Sequence, residues 1–367
     1  MKKIITLLLC IVMMPAGCSA PSSSPESHEV YNPAEQLLNS MSLEEKIAQM
    51  FIARCPSDDA AALANEYQIG GYILFATDFK EHNPNSFKET TEEYQKAVKI
   101  PMFIAVDEEG GTVNRVSKFP QFRYAPFSSP RTLYEIGGID LIKSDTKEKS
   151  DFLLSLGINL NFAPVCDISQ SPDDFMYERS VGLSPQDTAE YAKAVVSEMK
   201  SAKIGSVLKH FPGYGANLDT HTGMAIDKRP YESFIKNDFL PFRAGIESGA
   251  DMVLVSHTIV ECMDSSLPVS LSPSVHNILR NELGFDGIII TDDISMGAIG
   301  EYTSTEDAAV LAVMAGNDII CSSDFTRQIP AVISAVKEGK IPLSQIDKSI
   351  MRILHTKEKL GILKFSK

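Results

Sequence analysis

Three short stretches carry residue types at spacings that suit acid–base and nucleophilic chemistry. The first is Asp107-Glu108-Glu109-Gly110-Gly111-Thr112-Val113-Asn114-Arg115. Its glycine pair lets backbone approach a ligand closely. Asp107 can accept bonds from vicinal hydroxyls, and Arg115 can donate in a fixed fork. A turn closed by an exposed ion pair has the same composition, so this stretch alone leaves both readings open. The second is Lys209-His210-Phe211-Pro212-Gly213-Tyr214-Gly215, followed by Asp219-Thr220-His221. Asp219 and His221 are two apart, so an extended backbone points both to one side. A carboxylate beside an imidazole fixes its tautomer and raises its pKa, which equips a histidine as a general acid–base, although a surface loop carries the same Asp-x-His spacing. The third is Thr291-Asp292-Asp293-Ile294-Ser295-Met296-Gly297-Ala298. Asp292, just past an apolar run, is placed to act as a nucleophile or to stabilise a cation. Asp293 beside it is a candidate cap for the helix that follows.

These residues need a frame that brings distant segments together. Short apolar, β-branched runs recur at 50–53, 71–75, 102–106, 160–164, 205–208, 252–255, 287–290 and 318–321. Glycine, proline or charge bounds each one. Amphipathic stretches separate most of them. Residues 42–49 open with a capping box, Ser42 with Glu45 three residues on. Residues 187–201 and 273–282 also read as helices, the second opening with Pro273 after Ser272. Strands that alternate with helices predict a parallel sheet. Eight of them predict an α/β fold closed as a single (β/α)8 TIM-like barrel, with an open doubly wound sheet as the other arrangement. In such a barrel the catalytic groups come from the C-terminal strand ends. Five of the eight runs lead into Asp107, Asp167, Lys209-His210, Ser256-His257 and Asp292-Asp293.

Composition agrees with one folded body. The chain has 367 residues, 44% hydrophobic and 22% charged, with 34 Lys and Arg against 48 Asp and Glu and a net charge of −14. That excludes a disordered, collagen-like or coiled-coil chain. It also argues against nucleic acid as a partner, because no basic stripe overrides the acidic field.

The first residues read as a targeting segment. Lys2 and Lys3 precede a short apolar run, 4–14, too short for a bilayer. Residues 1–17 are expected to be a signal peptide, and Pro15-Ala16-Gly17-Cys18 resembles a bacterial lipobox with Cys18 as the lipidated residue. Residues 18–33, rich in Ser, Pro and Glu, are expected to form a flexible linker, with the barrel domain spanning 34–367. The expected location is the extracytoplasmic face of the cell membrane, lipid-anchored. Cys55, Cys166, Cys262 and Cys321 are widely spaced and read as buried free thiols. No CxxC or His-rich metal-ligand spacing occurs, so no metal is expected.

In this order, the three stretches resemble glycoside hydrolase family 3, in its β-N-acetylglucosaminidase branch. Further matches are Asn161-Phe162-Ala163-Pro164-Val165-Cys166-Asp167, Glu178-Arg179-Ser180-Val181-Gly182 and Gly249-Ala250-Asp251-Met252. The resemblance implies that Asp292 is the nucleophile of a retaining exo-glycosidase. It implies that His221, oriented by Asp219, is the acid–base. Asp107, Arg115, Arg179, Lys209 and His210 would bind a terminal, non-reducing β-N-acetylglucosamine, as in peptidoglycan fragments. Tyr214 stands where the branch often has a second histidine, and Thr220 where serine is usual. The alternatives are a β-glucosidase or β-xylosidase of the same family, a lipid-anchored carbohydrate-binding protein, and a metal-dependent barrel hydrolase. A monomer is expected, with no organic cofactor.

Overall fold

The computed structural model describes residues 32–215 and 225–365. The expectations placed on residues 1–17, on Cys18 and most of the linker, and on Asp219, Thr220 and His221 lie outside the described residues. Pro33–Lys367 forms one compact unit.

Ten strands are present among the described residues. They are β1 (Phe51–Arg54), β2 (Gly71–Leu74), β3 (Phe103–Val106), β4 (Leu160–Asn161), β5 (Gly205–Phe211), β6 (Ile226–Asp227), β7 (Met252–Val255), β8 (Ile259–Val260), β9 (Ile288–Thr291) and β10 (Ile320–Ser322). Eight of them pair in parallel in the order β10-β1-β2-β3-β4-β5-β7-β9. The ring closes where Ile290 bridges Ile319 in parallel, with Ile319 N donating to Ile289 O at 3.1 Å. Each of the eight falls on one of the apolar runs, with no end shifted by more than three residues. These strands are buried on both faces, so they read as unbroken apolar runs without alternation. The small pair β6–β8 lies outside the ring and has no counterpart in the sequence reading.

Local chemistry sets the helices that cover the barrel. Ser42 Oγ accepts from Glu45 N at 3.1 Å while Glu45 Oε2 accepts from Ser42 N at 2.9 Å, so the capping box forms and starts the helix at Leu43. The helix Pro185–Ala202 is capped by Ser184 and carries proline in its first turn, where no amide partner is needed. The segment from Pro273 divides into an α-helical Pro273–Asn277 and a π-helical Ile278–Glu282. Pro130–Ser155 is broken at Gly138, whose φ of 60° is outside the helical range.

The structure corrects two sequence expectations. Asp293 does not cap the next helix, whose N-cap is Met296. It accepts instead from the amides of Ser295 at 2.9 Å and Ser323 at 3.2 Å, and from Ser323 Oγ, tying the end of β9 to the end of β10. Cys55, Cys166 and Cys321 are buried free thiols, but Cys262 is free and exposed, in the turn after β8.

Candidate active site

The loop after β3 is shaped by one buried carboxylate. Glu108 Oε2 accepts from the amides of Arg115 and Val116, both at 2.8 Å, and Oε1 from Ser117 N at 3.1 Å and from Ser117 Oγ. Asn161 on β4 holds the start of the same loop, accepting from Glu108 N at 2.9 Å and donating to Glu108 O at 3.1 Å. A fully buried carboxylate is tolerated only when its lone pairs are filled, and here they are. The result is a loop that sets Arg115 over the ring of Phe75, 5.4 Å from its centroid. Arg115 Nε is buried without a protein partner.

Two steps along the same extended segment, Asp107 and Glu109 point to a common side and meet Lys209 from β5. Lys209 Nζ donates to Asp107 Oδ1 at 2.6 Å and lies 2.6 Å from Glu109 Oε1. Arg179, from the loop after β4, grips Glu109 with Nε at 3.0 Å and Nη2 at 2.7 Å. Burial by itself pushes the Glu109 carboxyl up; Lys209 first, then Arg179, outweigh it and hold it well below the usual carboxylate range.

Asp167, in the segment that follows β4, organises the next strand end. It accepts from His210 Nδ1 at 2.7 Å, His210 N at 3.1 Å and Tyr214 N at 2.7 Å. With Nδ1 bound to a carboxylate, Nε2 is left facing Arg179 Nη2 at 3.3 Å. Asp292 follows β9; its amide donates to Val255 O at 3.2 Å and its Oδ1 accepts from Asp293 N at 2.9 Å. His257, after β7, is buried, with Nδ1 2.8 Å from Ser270 Oγ and Nε2 3.0 Å from Asp293 O.

One cavity of about 240 Å³ collects these groups at the C-terminal ends of the strands. Asp107, Arg115, Arg179, Lys209, His210 and Asp292 all line it, with Phe75, Phe162, Met296 and Cys321 among the apolar walls. Every candidate site residue within the described part of the barrel is thus brought to one place. Larger hollows of about 550 and 430 Å³ lie among residues that precede the strands, beside Asp318 and beside Gln49 and Gln68. They are at the wrong end of a barrel for catalysis.

Sequence reasoning gave no role to Glu108, Glu109 or Asn161, and none to Asp167 beyond its strand end. The two-residue spacing of Asp107 and Glu109 is a usable signal, because it sends both carboxylates to one side of an extended chain. Nothing local marks Glu108, whose partners are its own loop amides.

A parallel barrel with acidic and basic side chains gathered at its strand ends is the layout of a barrel enzyme. The glycosyl hydrolase family 3 N-terminal domain model matches residues 42–356. Beta-hexosaminidase LpqI of Mycobacterium tuberculosis is 29% identical over 355 residues, covering 93% of this chain and 86% of that protein. A beta-hexosaminidase of Nitrosomonas eutropha is 34% identical over 261 residues, covering 69% of this chain and 73% of its own length. Among solved structures, a glycoside hydrolase family 3 beta-N-acetylglucosaminidase from Paenibacillus sp. matches with a TM-score of 0.82 at 29% identity, over 89% of this chain and 64% of that one. The structure of M. tuberculosis LpqI matches with a TM-score of 0.80 at 28% identity, over 88% of this chain and 96% of that one. The protein is therefore a glycoside hydrolase. The chain belongs to glycosyl hydrolase family 3.

Proposed function

We propose that this enzyme is a β-N-acetylhexosaminidase that removes a terminal, non-reducing β-N-acetylglucosamine with retention, from peptidoglycan fragments or related glycans. One observation carries the reading: a single cavity holds Asp292 together with Asp107, Arg115, Arg179, Lys209 and His210. Its volume of about 240 Å³ suits one sugar ring better than a chain, being below the roughly 300–1,000 Å³ of pockets for larger ligands. That supports exo action.

Asp107 and the cations around it bind the hydroxyls of the terminal ring. The Asp292 carboxylate attacks the anomeric carbon as the bond to the leaving oxygen breaks, and His221 protonates that oxygen. This leaves a glycosyl ester on Asp292 and a neutral alcohol. His221, now a base and oriented by Asp219, takes a proton from water, which attacks the anomeric carbon and returns Asp292 as carboxylate. An imidazole in place of a second carboxylate avoids like-charge repulsion with Asp292 and tolerates an anionic leaving group. On Cys18, a lipid anchor holds the domain at the extracytoplasmic membrane face, with residues 18–33 as tether.

The test is hydrolysis of an aryl β-N-acetylglucosaminide against an aryl β-glucoside, by wild type, Asp292→Ala and His221→Ala. The N-acetyl substrate should be strongly preferred, and Asp292→Ala should lose at least about 10³-fold in kcat. Full turnover by Asp292→Ala overturns the nucleophile, and preference for the glucoside overturns the substrate. A His221→Glu variant that keeps full rate on muropeptide-like substrates removes the argument from leaving-group charge.

A further inference from the structure

Behind the cavity stands a cation that does not line it. Arg229 lies just past β6, and its guanidinium is engaged in three directions. Nε donates to Asp227 Oδ1 at 3.2 Å and Oδ2 at 2.9 Å. Nη1 donates to both oxygens of Asp238 at 3.0 Å, and Nη2 to the carbonyl of Gly213 at 3.1 Å. The Phe234 ring packs against it, 4.3 Å from ring centroid to Cζ. Asp227 and Asp238 are each only 2% exposed, so this cluster is a built unit and not a solvated rim pair.

The turn 213–215 lies flat on that unit. Gly213 has φ of 120°, and a Cβ there would stand 2.3 Å from Asp238 Oδ1. Gly215 has φ of 59°, and a Cβ there would stand 2.7 Å from Arg229 Cζ. Both positions therefore exclude a side chain, on backbone and on steric grounds. The amides of the same turn reach His210 and Asp167. Gly213 N donates to His210 O at 2.9 Å, and Tyr214 N donates to Asp167 Oδ1 at 2.7 Å. Asp167 Oδ2 in turn accepts from His210 Nδ1 at 2.7 Å.

We propose that Arg229 is a positioning residue for His210: with Asp227 and Asp238 it clamps the 213–215 turn, and through the Tyr214 amide and Asp167 it sets the orientation and tautomer of the imidazole. The proposal rests on the reading of His210 as a sugar ligand given above. Arginine is required at this place because one planar fork serves two carboxylates and a carbonyl lying in different directions. A lysine ammonium supplies the charge but not the three fixed directions. The imidazole is then held by a chain of hydrogen bonds each fixed by the next, and a shift of about 1 Å at such a group can cost on the order of 100-fold in rate.

The experiment is performed on full-length protein labelled with ¹⁵N-histidine. The His210 ring resonances are assigned by their loss in His210→Gln. Arg229→Gln should move those resonances and lower kcat/KM for the aryl β-N-acetylglucosaminide by about 10- to 100-fold. Arg229→Lys should not restore either. Millimolar guanidinium should restore part of both in Arg229→Gly. Unchanged His210 resonances in folded Arg229→Gln overturn the proposal. If Arg229→Gln does not fold, Asp238→Asn replaces it under the same criterion. If the resonances move while His210→Gln keeps full kcat/KM, the positioning stands and the sugar-ligand reading of His210 fails.

Discussion

Lys209 Nζ stands 2.6 Å from Glu109 Oε1, and both side chains are only 2% exposed. The pair is not isolated: Lys209 also reaches Asp107, and Glu109 is held by Arg179. Two carboxylates and two cations thus balance each other at the wall of the cavity. This balance holds the Lys209 side chain in place, and leaves Asp107, the more exposed of the two carboxylates, facing the space a ligand would fill.

Removing one member should therefore cost more than the pair contributes. Glu109→Gln removes the counter-charge shared by the buried Lys209 and the half-buried Arg179, and breaking such a buried pair typically destabilises by about 3–5 kcal/mol. Urea unfolding at neutral pH measures it, and a loss under about 1 kcal/mol would contradict the arrangement. The pH dependence has a definite sign. Glu109 is held below its unfolded value, so its contribution is complete above that value, near 4.5, and fades as pH falls through the lower folded one. The acid side of the wild-type stability curve should be steeper than that of Glu109→Gln.

Glu108→Gln tests the loop that carries Arg115. The amide group has only one acceptor oxygen for four donors, and the lost bonds should cost about 1–3 kcal/mol. Because the loop amides of Arg115 to Ser117 are what it binds, KM should rise more than kcat falls. Steady-state kinetics on the aryl β-N-acetylglucosaminide separates the two. An unchanged KM in a destabilised variant would mean that Arg115 does not bind substrate.

Lys357 gives a second pH signature, far from the cavity. Its ammonium is fully buried, donates to Gln49 Oε1 at 2.7 Å and lies 5.0 Å from the Phe103 ring centroid. Burial pushes its pKa down to about 7. Between about 7 and its unfolded value near 10.5 the unfolded chain binds this proton and the folded one does not, so stability rises with pH across that window. Lys357→Met should lack this rise. Chemical unfolding of both proteins from pH 7 to 10 decides it, and parallel curves would show that Lys357 titrates normally.

The anchor is testable without kinetics. In membranes from cells making the full chain, detergent should release the enzyme and high salt should not. Cys18→Ala should appear in the soluble extracytoplasmic fraction with unchanged activity per molecule. Salt release of the wild type would remove the lipid from the account.

The barrel was legible because its signal is local. Runs such as 102–106 and 287–290 are apolar on both faces, and only strands covered on both sides can afford that. Ser42 with Glu45 predicted a capped helix, and the cap is there. Asp293 was misread because the same side chain that can cap a helix can also bind a neighbouring strand end. The amide of Ser323 is 30 residues away in sequence and invisible to local reasoning. The pair β6–β8 was missed for the same reason: each strand is two residues long, too short for any periodicity.

By itself, the sequence determined which residue types stand at the strand ends, since that depends only on the order of apolar runs and polar residues. It therefore named Asp107, Lys209, His210 and Asp292 as neighbours of the barrel mouth before any coordinates. Only the tertiary structure decided who pairs with whom. Lys209 takes Asp107 and Glu109 across about a hundred residues of chain, Asp167 fixes the imidazole of His210, and Arg229 supports the turn beneath it. Pairing of charges depends on distance and burial in three dimensions, and the closing of the barrel sets both.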